Sequence, residues 1–114
     1  MILGRNEILK RVKNENLIEN FDETCLQQAG YDLRIKTAYW IENSSFLGKN
    51  ERKLPTISEV KNDVIVLEPN EYLLMETVEK VNMPLDLIAI VLPRTSLFRM
   101  GASLRTGVVD PGYK

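Results

Sequence analysis

The chain has 114 residues, with 15 lysines and arginines against 16 aspartates and glutamates, no histidine and one cysteine, for a formal net charge of −1. That length suits one domain with a core of its own, and the missing histidine excludes Ser-His-Asp and Cys-His catalytic units, histidine zinc ligands and the zinc chemistry of many base deaminases. Cys25 cannot form an internal disulfide, and the longest apolar run, Leu87 to Leu92, is far below the ~20 residues of a membrane span, so the expectation is a soluble cytoplasmic protein.

Gly4 to Lys13 reads as a short helix, because Ile8, Leu9 and Val12 fall on one face and Gly4 or Asn6 can start it. The period then changes. Tyr31, Leu33 and Ile35 alternate with Asp32, Arg34 and Lys36, which predicts a strand with one buried face, continued by Thr37 to Glu42. Asn43 to Lys53 is small and charged and reads as an exposed loop. Val64 to Leu67, Tyr72 to Val81, Leu85 to Leu92 and Leu104 to Val109 are further strand-like runs, punctuated by Pro69-Asn70 and Asn82-Met83-Pro84. Short strands behind one amphipathic helix describe a mainly β sandwich or barrel. No strand-helix alternation, G-x-G-x-x-G or Walker loop is present, which excludes Rossmann and P-loop readings.

The charges are not evenly spread. Residues 1–13 and 94–114 each carry +3, so the near-neutral total conceals an acidic stretch of −7 between two basic ends. Four spaced cations fall short of a nucleic-acid stripe and better suit a compact polyanion such as a nucleotide's phosphates, or an ordinary solvated face.

Three segments could carry chemistry. In Ala29-Gly30-Tyr31-Asp32-Leu33, Gly30 serves a turn, and Asp32 either occupies the polar face of a strand or helps hold a hydrated divalent cation, Mg²⁺ being bound typically by one or two carboxylates plus waters and phosphates. In Pro93-Arg94-Thr95-Ser96-Leu97-Phe98-Arg99-Met100-Gly101, proline ends a strand and Thr95 or Ser96 can cap a short helix, so that two arginines and two hydroxyls converge on an anion site. The alternative there is a capped turn with solvent-facing arginines; Phe98 and Met100 read as core. In Gly107-Val108-Val109-Asp110-Pro111-Gly112-Tyr113, a Pro-Gly turn folds the chain back and leaves Asp110 available as a general base near the phosphate grip in sequence.

In that order and spacing the three segments resemble the motifs of the superfamily of trimeric deoxyuridine triphosphatases (dUTP diphosphatases) and dCTP deaminases. Met1-Ile2-Leu3 followed by a short helix resembles the deaminase branch, and the likeness runs over residues 1–114. It implies a distorted jelly-roll or β-clip-like barrel with a short N-terminal helix, assembled as a homotrimer with sites at subunit interfaces. Asp110 would activate the hydrolytic water, and Tyr113 would pack under the deoxyribose. Arg94, Thr95, Ser96 and Arg99 would hold the triphosphate, Thr95 standing where the family usually has serine. Asp32 would help hold Mg²⁺ through water, and backbone around Leu104 to Gly107 would read the base. The family pattern continues beyond the third motif with another strand, a fourth motif and a glycine-rich arm. Residues 1–114 are therefore expected to form one domain lacking those parts and inactive without them.

Gly-Tyr-Asp-Leu and the short stretch from Gly101 to Asp110 resemble the hydrolase branch, whereas Arg99 and the N-terminal helix resemble the deaminase branch. The expectation is hydrolysis of dUTP to dUMP and pyrophosphate. The alternatives are a mono- or bifunctional dCTP deaminase and a non-catalytic nucleotide-binding domain.

Overall fold

Ile8, Leu9 and Val12 turn one face of α1, Arg5–Glu15, inward; Ile8 is buried and the other two are half-buried. Gly4 is the N-cap. Asn16 closes the helix in the left-handed conformation (φ 52°), which asparagine tolerates better than most residues, and its amide donates to the Val12 carbonyl. In this computed structural model, which describes residues 1–114, nine short strands follow: β1 (Ile18–Glu19), β2 (Ile35–Ile41), β3 (Phe46–Leu47), β4 (Arg52–Lys53), β5 (Ile57–Glu59), β6 (Leu73–Thr77), β7 (Lys80–Val81), β8 (Ala89–Ile90) and β9 (Val108–Val109). A 3₁₀ turn, Glu23–Cys25, precedes β2, and a second helix, α2 (Thr95–Arg99), lies between β8 and β9. The protein is mainly β with a short N-terminal helix, as expected; the strands form four separate small sheets and close no barrel.

The chain divides into two compact units, Met1–Asp32 with Glu79–Lys114, and Leu33–Val78. In the first, β1 pairs antiparallel with β7 and β8 with β9. Its core is Leu17, Ile18 and Met83, against which Val12, Phe21, Tyr31, Leu87, Ala89 and Val109 pack. Burying side chains of this size contributes ~1.5–3 kcal/mol each, enough to hold a unit whose ladders are only two residues long. Arg11 on α1 adds a pair with Glu15 (2.9 Å) and one with Asp86 (2.7 Å).

The second unit is built on the antiparallel sheet β5-β2-β6, with β3 and β4 forming a separate hairpin. Ala38 at the centre of β2 is its one buried residue, while Ile35, Ile41, Ile57, Leu74 and Met75 on the sheet are exposed.

Several predicted boundaries need correction. Tyr31 to Arg34 is not strand: Tyr31 makes a single bridge to Leu26, and β2 starts only at Ile35. Leu33 and Ile35 are exposed, so the alternation there does not mark one buried face. The predicted loop 43–53 contains the β3–β4 hairpin, and Val64 to Leu67 is irregular, while the short run Ile57-Ser58-Glu59 forms β5. The long runs 72–81, 85–92 and 104–109 are strand only over β6 and β7, β8 and β9 respectively, because turns interrupt the pairing.

Candidate functional site

All the residues expected at the site lie in the first unit. The segment Ala29–Asp32 forms the far side of a tight turn. Gln27 donates its amide to the Gly30 carbonyl (2.9 Å), Leu26 and Tyr31 form an antiparallel bridge, and Asp32 donates its amide to the Cys25 carbonyl (2.9 Å). Gly30 does not have positive φ and an added Cβ would meet nothing within 4 Å, so its conformation does not demand glycine.

Alternation across this turn sends neighbouring side chains to different tasks. Tyr31 packs on Phe21, ring centroids 5.4 Å apart, and its hydroxyl accepts from the Asp22 amide (3.1 Å) while donating to Glu79 Oε1 (3.0 Å). Burial, ahead of the Glu79 contact, pushes the Tyr31 phenol above its ordinary pKa, and the Asp22 amide pulls the other way. Asp32 carries the polar contacts: Oδ2 accepts from Gln27 Nε2 at 2.9 Å and pairs with Arg94 at 3.2 Å. The carboxylate side chain is 23% exposed and the arginine 71%, so one partner is held by its surroundings and the other reaches in from solvent.

Arg94 is itself the N-cap of α2, in extended backbone, and no side chain caps the helix. Thr95 and Ser96 are therefore its first two residues and do not cap it; the Arg94 carbonyl accepts from the Leu97 amide (2.9 Å). Arg99 is the last residue of α2, some 7 Å along the axis from Arg94 at ~1.5 Å per residue. The two arginines thus do not converge at one helix end. Phe98 and Met100 are exposed and not core, since a five-residue helix inside a hairpin loop has no buried cluster to meet.

At the other end of the chain, Asp110–Tyr113 is a β-turn. The Tyr113 amide donates to the Asp110 carbonyl (3.2 Å), with Pro111 at the second position and Gly112 at φ 79°. A Cβ at Gly112 would come to 3.3 Å from Leu85 Cδ2, so both torsion and space favour glycine there. Met83 clamps the turn from both sides: its amide donates to the Tyr113 carbonyl (2.7 Å), and its carbonyl accepts from the Gly112 amide (2.9 Å).

The polarity of β8 and β9 decides what these parts can reach. Ala89 faces Val109 and Ile90 faces Val108, so the chain leaves β8 toward Arg94 at one end of the ladder and leaves β9 toward Asp110 at the other. The structure joins Asp32 to Arg94 and leaves Asp110 and Tyr113 at the opposite end. Gly107 is exposed beside Thr106, whose hydroxyl donates to the Val91 carbonyl (2.7 Å) and closes the intervening loop.

For a divalent cation the donors are sparse: no three acidic, histidine or cysteine side chains come together. Asp32 alone, already bonded to Gln27 and Arg94, fits an ion that brings its own waters and phosphate oxygens, and does not fit a cage of protein ligands. Gln27, Glu79 and Met83 were not singled out in the sequence. Nothing in the sequence separates Glu79 from Glu76 in the same strand-like run.

The comparisons with known proteins agree with the motifs. The family model described as dCTP deaminase-like matches residues 2–114. The deoxyuridine 5′-triphosphate nucleotidohydrolase of Methanocaldococcus jannaschii is 32% identical over 120 residues, covering all of this chain and 72% of its own length. The dCTP deaminase of Caldivirga maquilingensis is 35% identical over 121 residues, covering all of this chain and 68% of its own length. No helix is long and apolar enough to cross a membrane. With motifs, strand content and similarity over its whole length in agreement, the chain belongs to the dCTP deaminase-like family of the deoxyuridine triphosphatase and dCTP deaminase superfamily.

Proposed function

We propose that the protein hydrolyses dUTP to dUMP and pyrophosphate. The observation that carries this reading is the Arg94–Asp32 contact at 3.2 Å, a guanidinium suited to phosphate oxygens beside a carboxylate suited to a hydrated cation. The name of the Methanocaldococcus jannaschii relative supports the same substrate. Arg94, Thr95, Ser96 and Arg99 hold the triphosphate, the exposed backbone around Gly107 reads the base, and Tyr113 packs beneath the sugar. Asp110 takes a proton from the attacking water as it bonds to the α-phosphorus, and the bond to the bridging oxygen breaks to release pyrophosphate. Asp32 would hold Mg²⁺ through the ion's waters, and the bound ion would supply charge neutralisation for the triphosphate.

Asp110 and Arg94 occupy opposite ends of the β8–β9 ladder, which supports a homotrimer in which the base and the phosphate grip serving one substrate would come from different copies of the chain. The outer face of that ladder supports association: Ile88, Ile90, Leu92 and Val108 are 54–72% exposed, where an isolated hairpin would carry polar residues.

The second reading, deamination of dCTP, is favoured by the name of the Caldivirga maquilingensis relative and by the family model. Incubating the complete protein, not residues 1–114 alone, with dUTP and with dCTP in Mg²⁺ while measuring pyrophosphate and ammonia separates the readings. Pyrophosphate from dUTP alone is expected. Ammonia from dCTP would overturn the pure hydrolase, and no product from either would leave a binding domain.

A further inference from the structure

We propose that Glu79 and Gln27, neither of them in the three motifs, are positioning residues that fix Asp32 and, through it, Arg94. This rests on the reading of Arg94 and Asp32 as parts of a nucleoside triphosphate site.

Asp32 sits at the end of a turn with only one bridge and two backbone hydrogen bonds to define it. Such a turn needs side-chain anchors to hold a carboxylate to a fraction of an ångström. Tyr31 supplies the inner anchor. Its ring is fixed against Phe21, and its hydroxyl is tied to Glu79, whose residue is 5% exposed, and to the Asp22 amide. Glu79 has a further interaction within the structure besides Tyr31, so it is not a free acid. A carboxylate that deep is tolerated only when its oxygens are bonded, which ties the Tyr31 hydroxyl to one place. Since Asp32 follows Tyr31 directly, fixing the tyrosine fixes the origin of the aspartate side chain.

Gln27 supplies the outer anchor. It lies across the turn, and its Nε2 donates to Oδ2, the same oxygen that meets Arg94. The amide thereby selects one rotamer of Asp32 and leaves Arg94 a single place to dock. The two anchors act on one carboxylate from backbone and side-chain ends, and so share a single output: the readiness of Arg94 to meet a triphosphate.

The test is binding, measured by calorimetry on the whole protein with Mg²⁺, of two probes: the non-hydrolysable α,β-imido analogue of dUTP, and dUMP. Tyr31→Phe, Glu79→Leu and Gln27→Ala are each expected to weaken binding of the analogue ~10-fold, the scale of a hydrogen bond to a charged group, and to leave dUMP binding unchanged. Glu79→Gln keeps an acceptor for the Tyr31 hydroxyl and is expected to rescue most of the loss. In an Asp32→Ala background none of these changes should cost more, because neighbours acting through one group are not additive. Gln27 is exposed, so its variant folds even where a buried change does not. Equal weakening of both probes, or losses that persist unchanged without Asp32, would overturn the positioning role. So would wild-type affinity in Gln27→Ala and Tyr31→Phe. A wild-type protein that binds neither probe would instead overturn the triphosphate-site reading on which the proposal rests.

Discussion

Each unit contains one hydrogen bond from a tyrosine to a glutamate, and the two pairs are built differently. In the first unit Tyr31 donates to Glu79 at 3.0 Å, with the glutamate buried and the phenol stacked on Phe21. In the second, Tyr39 donates to Glu76 at 2.8 Å on the surface of the sheet, with Lys36 3.3 Å from the same carboxylate. The causes of the raised phenol pKa follow the settings: burial comes first for Tyr31, and the Glu76 bond comes first for Tyr39. The same two residue types thus serve as a post in one place and as a surface contact in the other. What separates them is the cost of losing the bond, which is high only where water cannot replace the phenol.

The largest expected effect tests whether chemistry is confined to the first unit. On the proposed function, Asp110→Asn lowers turnover ~10²–10⁴-fold, the usual worth of a general base, with nucleotide binding retained. Tyr39→Phe in the second unit leaves turnover alone. Steady-state pyrophosphate release checks both, and a fully active Asp110→Asn would remove Asp110 as the base.

Next comes stability. Tyr31→Phe removes a hydrogen bond that water cannot replace at the buried Glu79 and costs about 1–3 kcal/mol in denaturant unfolding, whereas Tyr39→Phe, whose partner faces water, shifts the midpoint little. Equal midpoints would erase the contrast between the two pairs.

The smallest effect is in acid, where the units should behave alike. Arg11 holds the Asp86 carboxyl below its usual range by hydrogen bond and charge, and Tyr39 followed by Lys36 does the same for Glu76. A carboxylate whose pKa is depressed by folding adds stability above its unfolded pKa and loses it as pH falls through the folded value. Asp86→Asn and Glu76→Gln should each flatten the decline of stability below about pH 4, seen in acid titration of the circular dichroism signal, and high salt should shrink both effects because the pairs are exposed.

What was legible in the sequence follows the range of the forces involved. The helix from Gly4 and the turn at Asp110-Pro111-Gly112 were readable because helical spacing, a proline φ and a glycine in the left-handed region are local facts. Val64 to Leu67 has the residues of a strand and forms none, while Ile57–Glu59 pairs with β2. Strand partners are chosen across the chain, and composition does not name them. The motifs likewise name candidate residues without their geometry. Asp110 lies only 16 positions after Arg94, yet an antiparallel ladder sends the two to opposite ends. Met83, which clamps the Asp110 turn through its backbone, leaves no side-chain pattern by which to find it.

The ladder that separates those ends also makes them mechanically independent. Residues 91–107 form a closed excursion between Ile90 and Val108, sealed by the Thr106 hydroxyl on Val91. Lengthening such a loop costs little, since each doubling adds only about 0.6 kcal/mol of closure entropy. Insertions and deletions there would leave the anchoring of Asp110 by Met83 undisturbed. The loop that carries Arg94 and the turn that carries Asp110 are thus held by separate contacts, so a change of length in the one leaves the other in place.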